Sequence, residues 1–300
     1  MPSPSAPPTI LAATAGLDGR TLQEITAPIP QSYPEILQTS QQLIKKLQQG
    51  NASRTLGIGL SVPGQIDTGC NDLILQSPNI PCMEGQRIST DLSKLTQLPT
   101  VAVSTMRALY NSEIIRGQAT SYDNFVVLSY FSGMALSMSC NGNYVTGANG
   151  MAGELGHFIV DPKGELCGCG NRGCIETLAT DLALSQAISR NLGRKVEVEE
   201  MLELIRKSPE RFAPEIDHML SYLAIAIGAT INIFNPEAIF LYGRLLEVND
   251  TFIVKLRKKI PDKCLKSLAS KCLVKRSKST MIQGAALAIA KQLTGELSTN

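Results

Sequence analysis

The sequence predicts an α/β protein built as two lobes. Its 300 residues are 43% hydrophobic and 18% charged, a composition typical of a globular chain that can bury a large core. The first half alternates strand-like runs with turn-forming residues, and the second half carries long stretches with apolar residues at helical spacing. Hairpins followed by long helices favour the α/β class over an all-helical or all-strand architecture.

The predicted strands lie mostly in the first half of the chain. Residues 9–15 and 22–29 flank a turn sequence at 16–19 and predict a β-hairpin. Further strands are predicted from short apolar or alternating runs at 55–62, 100–104, 124–130, 135–139 and 238–242.

The predicted helices follow from apolar residues spaced three and four apart. They lie at 34–49, from 105 to about 116, and at 176–190, 197–207, 214–233, 251–259 and 279–293. No apolar run approaches the roughly 20 residues that a membrane-spanning helix needs. We therefore expect a cytoplasmic protein without a membrane segment.

The charges are unevenly distributed. The chain holds 28 Lys and Arg against 26 Asp and Glu residues, yet the segment 255–278 alone holds ten basic residues and a single acid, Asp262. A basic segment on an acidic body could meet an anionic partner. Because no aromatic residues lie between these charges, a solvated helix face followed by a turn is the favoured interpretation.

Three of the eight cysteines lie close together. Cys167, Cys169 and Cys174 fall within eight residues, and the other five are scattered, as buried thiols usually are. A disulfide framework would spread its cysteines, so this clustering points to metal. His157 completes a set of one imidazole and three thiolates, which suits a tetrahedral structural Zn²⁺. Glycines between the ligands would allow the chain to fold tightly enough for all four to converge.

The sequence around these ligands resembles the ROK family (repressors, open reading frames, kinases). The resemblance rests on Gly-Ala-Asn-Gly at 147–150, Ala-Gly-Glu-Leu-Gly-His at 152–157 and Cys-Gly-Cys-Gly-Asn-Arg-Gly-Cys at 167–174. It extends from about residue 10 to residue 293, nearly the whole chain. It implies an actin-like, ribonuclease-H-like sugar-kinase fold with two lobes that close on a hexose.

The resemblance also implies how the chain is divided. The N-terminal lobe would comprise 9–118, completed by the C-terminal helix 281–294, and the C-terminal lobe 119–280 would carry the zinc-binding loop. Residues 1–8 lack the features of a secretory signal and are expected to form a disordered leader. Family members are usually homodimers, and the repressors carry an N-terminal helix-turn-helix that finds no counterpart here. We therefore expect a homodimer that does not bind DNA directly.

The resemblance assigns sugar-binding roles to residues on both sides of the metal loop. The family's counterparts of Glu154, His157 and Glu176 meet sugar hydroxyls, and Gly64 and Asn79 match further sugar-facing positions. A carboxylate accepts from two adjacent hydroxyls, and zinc on one ring nitrogen of His157 would orient the other. The implied ligand is a hexose or N-acetylhexosamine, and the implied zinc is structural.

The parts that would transfer a phosphate do not match the family. Thr105 occupies the position of the catalytic aspartate, and a threonine hydroxyl cannot act as a general base near neutral pH. The second phosphate loop falls on 131–137, where one glycine of four remains and larger residues are expected to fill the space. The first phosphate hairpin finds no match, and the adenosine loop falls on 242–244. ATP and Mg²⁺ are therefore not expected as cofactors.

Three functions fit these observations. The leading hypothesis is a non-catalytic pseudokinase that senses a sugar or regulates a partner. The second is an ATP-dependent hexose or N-acetylhexosamine kinase, glucokinase-like, with diverged nucleotide loops. The third is a zinc-stabilised structural module without a ligand. Stabilisation by sugar separates the first two from the third, and release of ADP separates the second from the first.

Overall fold

The computed structural model describes residues 9–49, 54–67, 72–115, 117–148 and 150–295. The expected leader at 1–8 and Cys70 lie outside the described residues. Contacts divide the described chain into two compact units. The terminal unit comprises the residues up to Thr120, those of Thr146–Met151 and those from Ser279 onward, and the central unit comprises Ser121–Val145 and Ala152–Lys278.

Strands and helices alternate along the chain, which confirms the predicted α/β class. The strands are β1 (Thr9–Ala15), β2 (Thr21–Pro28), β3 (Ile58–Val62), β4 (Gln65–Asp67), β5 (Leu73–Gln76), β6 (Thr100–Ser104), β7 (Phe125–Ser129), β8 (Ala135–Cys140), β9 (Asn143–Tyr144), β10 (Ala238–Tyr242) and β11 (Leu273–Arg276). The helices are α1 (Tyr33–Gln49), α2 (Ile88–Thr96), α3 (Thr105–Ile115), α4 (Asp181–Leu192), α5 (Val198–Lys207), α6 (Ala213–Phe234), α7 (Leu245–Val248), α8 (Asp250–Lys259), α9 (Lys266–Ala269) and α10 (Met281–Thr294).

The terminal unit pairs its strands in separate ladders. β1 and β2 form the predicted antiparallel hairpin, β3 and β6 pair in parallel, and β4 and β5 pair antiparallel. Helix α1 buries Ile36, Leu43 and Leu47, whose spacing places them on one face of the helix. Ile36 joins Val62 and Ile74 in the hydrophobic core of this unit.

The C-terminal helix α10 packs closely on β3 and α3 of the terminal unit. A Cβ added to Gly59 of β3 would lie 1.9 Å from the carbonyl oxygen of Ala285, and one added to Gly284 would lie 1.7 Å from that of Ala108. Backbone this close leaves no room for a side chain, so both positions require glycine. Residues far apart in the sequence therefore meet in one unit.

The central unit is built on a five-stranded sheet in the order β11-β10-β7-β8-β9. β10 lies between β7 and β11 and runs parallel to both, whereas β8 is antiparallel to β7 and β9 is antiparallel to β8. Residues 125–128 of β7 and 238–241 of β10 are all buried and apolar. Continuous apolar runs of this kind are typical of parallel strands that are covered on both faces.

Helix α6 lies in the core of the central unit, where Leu220, Leu223 and Ile227 are fully buried. The segment Pro209–Phe234 is long and apolar enough to span a bilayer by length and composition alone, which the sequence analysis did not anticipate. Because its apolar side chains pack within the unit, we interpret it as a core helix.

The start of one predicted helix and the basic segment differ from expectation. The helix predicted at 176–190 begins at Asp181, because Thr180 caps it with an Oγ1 that accepts from the N–H of Ala183 at 3.1 Å. The basic segment ends in the strand β11 and not in a turn, because Val274 is buried beside β10 while its neighbours in the strand are less buried.

The scattered cysteines are also less buried than predicted. Cys140 is exposed, and Cys82, Cys264 and Cys272 are only partly buried. Cys140 is the last residue of the strand β8, and its side chain is exposed there. These four thiols are therefore not core residues of the usual kind.

Candidate functional site

The clustered histidine and cysteines lie in one loop of the central unit, between β9 and α4. The loop opens with a 3₁₀ turn at Leu155–His157. Two isolated antiparallel bridges, Ile159 with Cys174 and Leu166 with Arg172, double the chain back on itself. Ligand positions up to 17 residues apart are thereby brought to one place.

Glycines make the tight return of this loop possible. Gly173 has a φ of +71°, and a Cβ there would lie 1.5 Å from the carbonyl oxygen of Asp161, so a side chain does not fit. Gly170 also has a positive φ, of +91°. Gly168 has open space around it and no positive φ, so the local conformation does not require glycine at that position.

The four predicted ligands converge. One ring nitrogen of His157 and the Sγ atoms of the three cysteines all lie within 4.8 Å of one another. The Sγ of Cys167 is 3.6 Å from Nδ1 of His157, and the Sγ of Cys169 is 3.7 Å from that of Cys174. Donors bonded at about 2.0–2.3 Å to one tetrahedral ion lie roughly 3.5–3.8 Å apart. The set therefore fits a metal ion.

The thiols of the cluster have different environments. Burial raises the pKa of the Cys167 thiol well above its usual range, and burial also raises the pKa of Cys174. The backbone N–H of Asn171 donates toward the Cys169 sulfur and lowers the pKa of that thiol to about 7. A bound cation would favour the thiolate form of all three, so metal binding would release protons.

Two carboxylates lie beside His157. Glu154 Oε2 is 3.8 Å from Nε2 of the ring, and Glu176 Oε1 is 3.6 Å from Nδ1. Glu176 Oε1 also accepts a hydrogen bond from the Cys167 thiol at 2.9 Å, and its Oε2 accepts from the N–H of Met134 at 3.3 Å. The structure therefore brings together Glu154, His157 and Glu176, the three predicted site residues of the central unit.

Gly64 and Asn79 lie in the terminal unit, on two adjoining loops. Gly64 has a φ of +124°, and a Cβ there would lie 2.1 Å from the carbonyl oxygen of Gln76. The hydroxyl of Ser77 donates to the carbonyl oxygen of Pro63 at 3.0 Å. These contacts hold the Pro63–Gly64 turn against the loop that carries Asn79, whose side chain is exposed.

Thr105 begins α3, directly after β6. Its hydroxyl donates to the carbonyl oxygen of Val62 at 3.4 Å, one residue before the Pro63–Gly64 turn. Thr105 therefore lies beside the turn that carries Gly64. A hydroxyl whose single proton is donated to the main chain offers no basic group to a ligand near neutral pH.

The loop matched to the second phosphate site joins β7 to β8 in the central unit. Its larger residues were expected to fill the phosphate space, which is wrong for Met134 and Leu136, because both are buried in the hydrophobic core. Met134 directly precedes β8 and Leu136 lies within it, and both pack in the same core cluster as Met138. Phe131, which precedes the strand, is only partly buried.

A group of buried residues that was not predicted from the sequence lies at Gly243, in the segment matched to the adenosine loop. A Cβ on Gly243 would lie 2.2 Å from the ring of Tyr130, so this buried ring lies directly on the glycine. The buried carboxylate of Asp181 accepts from the N–H of Arg244 at 2.7 Å and of Leu245 at 3.1 Å. Burial raises the pKa of Asp181 to about 7. Asp181 and Arg244 are 63 residues apart, so no local pattern could have predicted this pairing.

Sequence comparison relates nearly the whole chain to known proteins. The model of the ROK family matches residues 9–292. The glucokinase of Thermotoga maritima is 26% identical over 298 residues, covering 93% of this chain and 93% of the glucokinase. The xylose repressor of Bacillus spizizenii is 26% identical over 215 residues, covering 72% of this chain and 55% of the repressor.

A solved structure shares the fold. The ROK family glucokinase from Streptomyces griseus, in complex with glucose and AMPPNP, has a TM-score of 0.81 at 19% identity and covers 95% of this chain and 96% of its own. At this identity the likeness establishes the fold, and it confirms the expected actin-like sugar-kinase architecture. The family match spans almost every described element, from β1 into α10. The chain therefore belongs to the ROK family.

Proposed function

We propose that this ROK family chain is a sugar-binding protein with a structural zinc site, which senses a sugar or regulates a partner and does not transfer phosphate. The observation that carries the proposal is the placement of Glu154 and Glu176 at opposite ring nitrogens of His157, whose ring also adjoins three cysteine thiols. The family resemblance supports a cytoplasmic homodimer that acts through a partner protein.

Zinc is the metal we propose for the cluster. Three thiols and an imidazole favour zinc over Mg²⁺ and Ca²⁺, which prefer oxygen ligands. Four protein ligands without an open position are typical of a structural site. When bound, zinc would offset most of the negative charge of the three thiolates and hold His157 through Nδ1. Nε2 of His157 would then remain available to interact with Glu154 and with a ligand hydroxyl.

A neutral hexose or N-acetylhexosamine is the ligand we propose. Glu154 and Glu176 remain partly exposed, at 43% and 19% of their side-chain surfaces, so both can accept from hydroxyls. Gly64 and Asn79 are proposed as further binding residues. The Asn-Asp pair of the family is replaced by Ser104 and Thr105, which removes two contacts of about 1–1.5 kcal/mol each. We therefore expect binding tenfold to a hundredfold weaker than the complete set would give, on the order of millimolar.

The absence of phosphate transfer has two supports. The hydroxyl of Thr105, at the position of the family's base, donates to Val62. The ring of Tyr130 packs on Gly243, and the carboxylate of Asp181 accepts from the next two backbone N–H groups. A nucleotide at this position would need those N–H groups to be free.

The kinase alternative draws on the relatives. The similar protein of Thermotoga maritima is a glucokinase, and the Streptomyces griseus structure contains glucose and AMPPNP. A kinase would need a base other than Thr105 and a rearrangement at Asp181. The third alternative, a structural module without ligand, is supported by the metal cluster taken alone.

One set of measurements separates the three functions. Zinc-loaded protein is screened by thermal shift against glucose, xylose, N-acetylglucosamine and their phosphates, with and without ATP and Mg²⁺, and ADP release is followed in parallel. A sensor is stabilised by a sugar and releases no ADP. A kinase releases ADP only when sugar is present, and a structural module responds to neither.

A further inference from the structure

A basic and apolar surface lies at one end of the central unit, away from the metal loop in sequence. We define the basic-apolar patch as Ile233, Phe234, Lys263, Leu265, Lys266 and Lys271. Ile233 and Phe234 are the last residues of α6, and Lys266 is the first of α9. The three apolar side chains are 67%, 42% and 64% exposed in chain order, and the three lysines are exposed as well. Large apolar side chains gathered at an exposed site mark an interaction surface.

Contacts between the end of α6 and the segment around α9 make the patch one continuous surface. The N–H of Leu265 donates to Oδ1 of Asn232 at 3.0 Å and ties the end of α6 to the start of α9. The carbonyl oxygen of Lys263 would lie 2.6 Å from a Cβ on Gly228 of α6, so these two backbones are in close contact. The short helix α9 then leads to Lys271, whose N–H donates to Leu268 at 3.0 Å.

The lysines of the patch are available to an external anion. Among the residues that the structure describes, Lys263, Lys266 and Lys271 form no ion pair, and Asp262 is the one acid of the segment 255–278. A local excess of positive charge without internal partners attracts negatively charged surfaces.

The two arginines of the segment 255–278 donate hydrogen bonds to the protein's own main chain. Arg257 Nε donates to the carbonyl oxygen of Val274 at 2.8 Å, and Arg276 donates to that of Leu246 at 3.0 Å. Only compact lysine charges, which suit non-directional attraction, therefore face outward in the patch.

The combination of lysine and exposed apolar side chains favours an anionic lipid surface over a nucleic acid. Lysines are drawn to anionic headgroups, and apolar side chains beside them can enter the boundary of the acyl region. A phosphate backbone would leave Ile233 and Leu265 without a partner. Nucleic-acid sites also use free arginines, which the patch lacks, and several stacking aromatic residues, whereas the patch contains Phe234 alone.

We propose that the basic-apolar patch is a peripheral binding site for membranes that contain anionic lipid. The three lysines contact headgroups, and Ile233, Phe234 and Leu265 enter the interface. The patch and the proposed sugar site share no residues, and the proposal does not depend on the sugar site.

The test uses the full zinc-loaded chain and sedimentation with vesicles of phosphatidylcholine, with or without phosphatidylserine. We expect binding to the phosphatidylserine vesicles that weakens as salt is raised. The triple variant Lys263→Gln, Lys266→Gln, Lys271→Gln should bind on the order of a hundredfold more weakly. Leu265→Gln should weaken binding by about tenfold without changing the salt dependence.

A matched control removes the same charge elsewhere. The variant Lys45→Gln, Lys46→Gln, Lys207→Gln changes three exposed lysines outside the patch and should bind as the wild type does. Circular dichroism verifies that each variant is folded, and Lys266→Gln alone replaces the triple variant if that one fails to fold. Absence of binding to phosphatidylserine vesicles, or equal losses in the two triple variants, overturns the proposal. So does tighter binding of a random-sequence DNA duplex through the same three lysines.

Discussion

The carboxylate of Glu176 shares a hydrogen bond with the thiol of Cys167, with Oε1 and Sγ 2.9 Å apart. The bond needs the thiol proton, because an ionised carboxylate only accepts. Metal binding removes that proton, since the metal ligand is the thiolate. Glu176 would then lose a donor and gain a negative neighbour, which leaves its carboxylate to accept from a ligand hydroxyl instead. This pair therefore couples the proposed metal site to the proposed sugar site.

The first prediction is one zinc ion per chain. Structural sites with such ligands contribute roughly 10 kcal/mol or more of apparent binding energy, so Cys169→Ala should lose the metal and lower the melting temperature markedly. Cys140→Ala, which changes an exposed cysteine outside the cluster, should keep both. Metal analysis and thermal unfolding make the comparison. Native protein without zinc, or a Cys169→Ala variant of unchanged stability, would contradict the assignment.

The second prediction concerns coupling between metal and sugar. Glu176→Gln should weaken sugar binding tenfold to a hundredfold, because the charged acceptor is lost. Chelation of the metal should weaken sugar binding as well. Calorimetry with the zinc-loaded and the chelated protein measures both effects.

Glu165→Gln is the matched control for Glu176→Gln. It removes a carboxylate from the same loop, but Glu165 pairs with Arg190 at 3.1 Å and does not face His157. The control should bind sugar normally. Equal losses in the two variants, or no binding of any common hexose by the zinc-loaded protein, would refute the sugar site.

The third prediction is that the protein does not phosphorylate sugars at a physiological rate. Loss of the general base alone costs about 10²–10⁴ in rate, and the proposed loss of nucleotide binding at Gly243 would add to that cost. Thr105→Asp should therefore fail to restore activity, as should the control Thr105→Ser. A coupled ADP assay with a sugar panel tests this. Turnover of about one per second that depends on Glu154 would mean that another residue supplies the base.

The fourth prediction is a pH dependence of stability caused by Asp181. Burial raises its folded-state pKa to about 7, above the usual value of 3.8. The folded state therefore binds more protons than the unfolded state between these values, and the contribution of Asp181 to the free energy of unfolding falls as pH rises from about 4 to about 7. Asp181→Asn should flatten this slope. The free energy of unfolding of the variant should therefore fall below that of the wild type by less at pH 8 than at pH 5.

Urea unfolding of the wild type and of Asp181→Asn at several pH values measures that slope. Asp217→Asn serves as the control, since Asp217 is a largely exposed carboxylate in a surface ion pair with Lys259. It should leave the slope in this range almost unchanged. If the free energies of unfolding of the wild type and Asp181→Asn changed in parallel with pH, burial would not be raising the pKa of Asp181 as proposed.

The sequence alone predicted the elements and the cluster that depend on neighbours along the chain. The β1–β2 hairpin follows from its turn residues, and α1 follows from the spacing of its apolar face. The ligand set from His157 to Cys174 was predictable because the donors and the glycines that fold the loop lie within one short stretch.

Only the tertiary structure decided contacts between distant segments. Three contacts join residues that no local sequence spacing relates. The ring of Tyr130 packs on Gly243, the carboxylate of Asp181 accepts from the N–H of Arg244, and the backbone of Gly284 lies against that of Ala108. The burial of Met134, which was expected to fill the phosphate space, likewise depends on how the loop between β7 and β8 packs into the hydrophobic core. Spacing along the chain determines which side of a helix or strand a residue occupies, whereas the neighbour on that side depends on how the whole unit packs.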